Sequence, residues 1–136
     1  MQIEIIEVSS KLPSAEKRAL AKAVQAAREH NCPVTVLVPA KKYAKTTPLK
    51  YLLSEQEVEA LLKGQSVYLS DDVLGHLESN STITTKPHPQ VLLVIRGWSE
   101  AIQKIQKVSG VCSLVVVPPS GEEATKWRDA FNETQT

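Results

Sequence analysis

Five places along the chain join the end of an apolar run to side chains that can bind or carry charge: Ser9-Ser10, Lys41-Lys42, Ser70-Asp71-Asp72, Arg96-Gly97 and Ser120-Gly121. Hydroxyls at such points cap helices or donate to phosphate oxygens, and lysine or arginine neutralises an anion. Arg96 is the sharpest of these. It closes the run Val91-Leu92-Leu93-Val94-Ile95, cannot shed its charge, and so requires an anionic partner. Asp71 is the internal candidate for that partner, and a ligand phosphate or carboxylate the external one. Arg96-Gly97 also precedes a helical repeat whose free amides suit an anion, as do those behind Ser120.

These residues share one place only if the elements before them are parallel strands. The run 91–95 is uninterrupted by polar residues, which points to a strand buried on both faces of a parallel sheet. A helical repeat follows (Trp98, Ala101, Ile102, Ile105, Val108), then Gly110 and a second apolar run, Val111 to Val117, completing a strand–helix–strand unit. Upstream, residues 2–8 read as a strand with Glu4 near an edge. Ala15 to His30 reads as an alanine-rich helix with Glu16 on its polar face, and Val34 to Val38 as a second strand. Ser54 and Glu57 form a capping box for a short helix closed by Gly64. Ser66 to Leu69 reads as a short third strand. Ser120 and Glu123 repeat the capping pattern before a helix with Ala124, Trp127 and Phe131 on its inner face. Residues 70–89 are ambiguous between a helical turn at Val73-Leu74-Leu77 and extended structure around Ser81–Thr85.

Strands alternating with helices define an α/β chain: a three-layer α/β/α sandwich over a mostly parallel five-stranded sheet, with room for an extra strand near 81–85. Residues 1–132 are expected to form a single domain and 133–136 a disordered tail. The architecture resembles the broad Rossmann-like and flavodoxin-like group, without that group's glycine fingerprints. Ligands of open parallel sheets bind outside the carboxyl ends of the strands. The expected ligand-binding set is therefore Ser9, Ser10, Lys41, Lys42, Asp71, Arg96, Gly97 and Ser120, gathered on one rim.

Composition narrows the function. Sixteen basic and fifteen acidic residues in 136 leave a net charge of +1, which disfavours bulk nucleic-acid binding. Two Trp, three Tyr and one Phe are too few for base-stacking platforms. No apolar run reaches the roughly 20 residues that span a bilayer, and the first residues lack a signal-peptide pattern, so a cytoplasmic location is expected. In a reducing compartment Cys32 and Cys112, beside strand starts, are expected to stay unpaired and slow to react.

The chain has no P-loop, no Gly-x-Gly-x-x-Gly after its first strand and no Gly-x-Ser-x-Gly elbow. No Cys or His pair has zinc spacing, so neither metal nor cofactor is expected. The reading favoured is a non-catalytic domain binding a partner protein or an anionic small ligand at the rim. The alternatives are an enzyme acting on a nucleotide or phosphorylated molecule, with Lys41 or Arg96 stabilising charge and Asp71 as base, and a nucleic-acid binder using the basic 41–50 loop. Oligomeric state and strand order are not legible.

Overall fold

The computed structural model describes residues 2–6, 14–38, 52–79, 89–95, 101–108, 110–118 and 120–132. They form β1 (Gln2–Ile5), α1 (Ser14–His30), β2 (Val34–Val38), α2 (Glu55–Leu62), β3 (Val67–Ser70), β4 (Val73–Ser79), β5 (Gln90–Ile95), α3 (Ile102–Gln106), β6 (Val111–Val117) and α4 (Gly121–Asn132). The strands make one sheet in the order β1-β6-β5-β2-β4-β3. All neighbours are parallel except β3 and β4.

The sheet therefore has six strands, not the five expected. The additional one is β4, over Val73–Ser79, where the sequence left a choice between helical turn and strand. Residues 81–85 lie outside the described residues, as do the tail 133–136 and Trp98 at the expected start of the third helix. β3 and β4 are joined by the two-residue turn Asp71-Asp72, which only an antiparallel pair permits.

Residue type explains the placing of each strand. All six residues of β5 are buried, as the unbroken apolar run demands, and β2 beside it is buried throughout. Alternation along these strands feeds two buried clusters. Val34, Val36, Val91, Leu93, Ile95, Val115 and Val117 pack with α1 and with Val58 and Leu61 of α2. Leu37, Leu92, Val94, Leu114 and Val116 pack with Ile102 and Ile105 of α3 and Trp127 and Phe131 of α4. α1 lies over β5 and β6. Its stripe is mostly alanine (Ala15, Ala19, Ala23, Ala26, Ala27), so its backbone can approach the sheet closely. Glu16 departs from the expected polar face: it is 2% exposed. Ile3 and Ile5 of β1 pack against the second cluster; on the opposite face Glu4 is exposed and pairs with Lys22 of α1 at 2.8 Å, and Ile6, just past the strand, joins the first cluster.

The helix ends obey capping chemistry. Ser54 and Glu57 form the reciprocal box, with Ser54 Oγ accepting from Glu57 N at 3.1 Å and Glu57 Oε1 from Ser54 N at 3.0 Å. α1 ends with Asn31 at φ 53°, and two bonds (Cys32 N to Ala27 O, Asn31 N to Arg28 O) close a Schellman turn.

Gly75 matters for a different reason. A Cβ there would lie 2.6 Å from Leu69 Cγ and 2.7 Å from Leu69 Cδ1, so the hairpin packs Leu69 into space that any side chain would fill. Gly75→Ala is expected to destabilise the protein by about 1–3 kcal/mol through overpacking, with Leu69→Ala recovering part of the loss in the double variant. Denaturant unfolding checks this, and a loss below about 0.5 kcal/mol would show that Leu69 swings out at no cost.

Candidate functional site

The parallel strands give the sheet two chemically different edges. On the edge where they end lie Val38, Ile95 and Val117, and α1 begins there, since it returns antiparallel to the strands it covers. β2 and β5 are neighbours in the sheet, yet the chain leaves them in opposite directions. From β2 it passes outward through α2 to β3 and β4; from β5 it passes through α3 to β6. α2 and α3 accordingly belong to the two different clusters. Between the ends of β2 and β5 lies a topological switch point, the kind of place where open parallel sheets bind ligands.

Of the residues expected on this rim, Ser9, Ser10, Lys41, Lys42, Arg96 and Gly97 lie outside the described residues. Ser120 is described and acts as a helix cap, its Oγ accepting from Glu123 N at 3.3 Å. Asp71 is a correction. Because β3 runs antiparallel to the rest, its end faces the edge where β2, β4 and β5 start. At about 3.3 Å per residue, the six residues of β5 alone separate that edge from the rim by roughly 17 Å. Asp71 can neither pair with a group following Ile95 nor serve as a base beside it. Among the described residues, the fold brings toward the rim the carboxylates of Glu16, in the first turn of α1, and of Glu122 and Glu123, in the first turn of α4; Glu16 is buried, and its Oε2 has no hydrogen-bond partner there. The helical periodicity of Glu16 reads as solvent-facing, because its burial arises only from tertiary placement.

The strand-start edge holds a cavity of about 370 Å³, lined among others by Arg28, Asn31, Cys32, Tyr68, Asp72, Leu74 and His76. The end of α1 and the β3–β4 hairpin build it. Arg28 Nε donates to Asp72 Oδ1 at 2.9 Å and its Nη2 to Ser70 Oγ at 2.9 Å, while Ser70 Oγ donates to the same Asp72 oxygen at 3.1 Å. The Arg28 hydrogen bond, with a smaller one from Ser70, holds the Asp72 carboxyl below the usual aspartate range. On the same hairpin, Ser66 Oγ and His76 Nδ1 are 2.7 Å apart.

Cys32 and Cys112, 80 positions apart, come together at this edge. Both are unpaired and half-buried, and they lie near enough for Cys112 to act on the Cys32 thiol. Burial, followed by the neighbouring Cys112, pushes the Cys32 thiol up to about 11. Nothing local around either cysteine announces the other; they are near because β2 and β6 both flank β5.

Among the described residues, no group of three His, Cys, Asp or Glu side chains could hold a metal ion, and no helix is long and apolar enough to cross a membrane. No family model, curated protein or solved structure matches the chain.

Two measurements follow from the charges at this edge. Asp72 has a depressed pKa in the folded state, so its pair with Arg28 adds stability above the ordinary aspartate range, and that contribution is lost as pH falls through the lowered value. A carboxyl NMR titration should place Asp72 below ordinary aspartates, and Arg28→Gln should move its midpoint up; an unchanged midpoint would show the pair is not formed in solution. Cys32, in turn, should be alkylated slowly at neutral pH, with a rate that climbs only toward about 11. An inflection near the ordinary thiol value of ~8.5 would contradict the burial described.

Proposed function

We propose that this chain is a non-catalytic, cytosolic α/β domain of the Rossmann-like, three-layer kind that binds an anionic small ligand in the crevice between the ends of β2 and β5. The observation that carries the reading is the switch point: neighbouring parallel strands whose connections depart in opposite directions, through helices of different clusters. Covalent reach adds the chemistry. Arg96 directly follows Ile95, so its Cα lies about 3.8 Å from that strand end. Lys41 is three residues past Val38, so its Cα lies within about 11 Å. A guanidinium and an ammonium are thus tethered to the two strands that border one crevice, as an anion requires.

The enzyme reading loses its base with Asp71 on the opposite edge. A protein partner with an acidic segment would use the same cations and is the competing occupant.

Arg96→Ala should leave the unfolding midpoint within the range of surface substitutions and weaken binding of inorganic phosphate or pyrophosphate about tenfold or more, measured by calorimetry. Lys41→Ala should weaken it less. If neither anion binds the wild type, or if Arg96→Ala binds them equally well, the crevice is not an anion site. A loss of affinity that grows steeply with salt and needs a polynucleotide would favour the basic 41–50 loop instead.

A further inference from the structure

We propose that the cavity on the strand-start edge is a separate binding site, for a small, uncharged planar molecule with an amide-like edge, as in an aromatic amide or a nitrogen heterocycle. Three independent features of the described residues converge there. First, its volume of about 370 Å³ falls at the small end of ligand pockets. Second, Tyr68 at 62% and Leu74 at 38% exposure are the large hydrophobic side chains left open to solvent. They stand opposite each other across β3 and β4 and line this same cavity. A tyrosine ring beside a leucine is a surface for one flat face.

Third, the polar groups are fixed and charge-balanced. Two of the five N–H donors of Arg28 are used, by Asp72 and Ser70, which locks the guanidinium and leaves its other donors for a ligand. Asp72, on the same wall, balances that charge. Asn31, held by the Schellman turn, adds a donor and an acceptor, and His76 has Nδ1 engaged by Ser66, leaving Nε2.

The balance selects the ligand class. An anion has to compete with Asp72 for Arg28, and a cation with Arg28 for Asp72. A neutral group that offers acceptor and donor side by side can use both without breaking the pair. This site is independent of the rim, lying at the other end of the strands.

Three ring compounds of one size and different charge test it on the intact chain: benzamide, benzoate and benzamidine, titrated while backbone amide NMR signals are followed. Benzamide should shift Asn31, Tyr68, Leu74 and His76, saturating in the millimolar range, and the two charged compounds should bind roughly threefold more weakly. Tyr68→Ala, at an exposed position, should weaken benzamide about threefold to tenfold with an unchanged melting curve. Arg28→Gln frees the Asp72 carboxylate and should put benzamidine first. Arg96→Ala should leave the benzamide shifts unchanged. The proposal is overturned if no compound saturates, if the shifts fall elsewhere or disappear in Arg96→Ala, if wild type prefers a charged compound, or if Tyr68→Ala binds benzamide as well as wild type.

Discussion

β5 lies in the middle of the sheet with parallel neighbours on both sides and every one of its residues buried. Its backbone donors and acceptors are taken up by β2 and β6, so its faces can be screened from water only by side chains packed above and below. That requirement fixes much of the rest. Apolar residues alternate into two clusters because a two-faced strand needs two covers, and each cover is a helix pair with one apolar stripe. Parallel pairing in turn forces long crossovers, and crossovers of one hand send their helices to opposite faces when the chain changes direction. The switch point beside β5 is a consequence of the burial of β5.

The same geometry separates the two edges in kind. At the rim the strands end and the helices α1 and α4 begin, and in sequence Lys41, Lys42 and Arg96 follow the ends of β2 and β5. At the strand-start edge α1 ends, and a tight hairpin sets an acidic turn against the basic last turn of that helix, giving the Arg28–Asp72 pair. This pair is solvent-exposed and adds little to stability. What it does is orient: Arg28 is held by two bonds, and the cavity wall it forms is defined accordingly.

How much of this is legible in the sequence follows from which interactions are local. β5, β6 and β2 are readable because continuous apolar runs have one economical solution, and the α2 cap because Ser54 and Glu57 carry their own partners three residues apart. β4 was ambiguous because Gly75 and the mix of Leu74, His76 and Glu78 give neither a clean alternation nor a helical stripe. Its pairing with β2 and β3 makes it a strand, with Leu69 packed over Gly75. Asp71 reads as a rim residue and lies on the opposite edge because strand direction is not a property of a strand's own residues. A two-residue link was visible, and it excludes a parallel connection, yet that link is recognisable only once Val73–Ser79 is known to be a strand. The burial of Glu16 and the nearness of Cys32 to Cys112 depend on tertiary placement and leave no local trace.

One polar contact inside the aliphatic sheet has a role that the clusters cannot fill. Thr35 of β2 is 3% exposed and donates to Gln90 Oε1 of β5 at 2.8 Å, on the face shared with Leu37 and Leu92. The strands around it, Val-Thr-Val-Leu-Val and Val-Leu-Leu-Val-Ile, are apolar on both faces. A slip of one residue exchanges faces, and in such strands the exchange would bury the same kind of surface as before, so hydrophobicity alone barely distinguishes the registers. The Thr35–Gln90 bond does. Displaced by one residue, hydroxyl and amide would be buried on opposite faces without each other, at about 1–3 kcal/mol for each group left unpaired. Gln90 already carries one unpartnered buried donor, Nε2, in the native pairing. A polar side chain retained at that expense in the best-buried strand is accounted for by what it specifies: the alignment of β2 with β5, and with it the alignment of the two strand ends that border the proposed crevice.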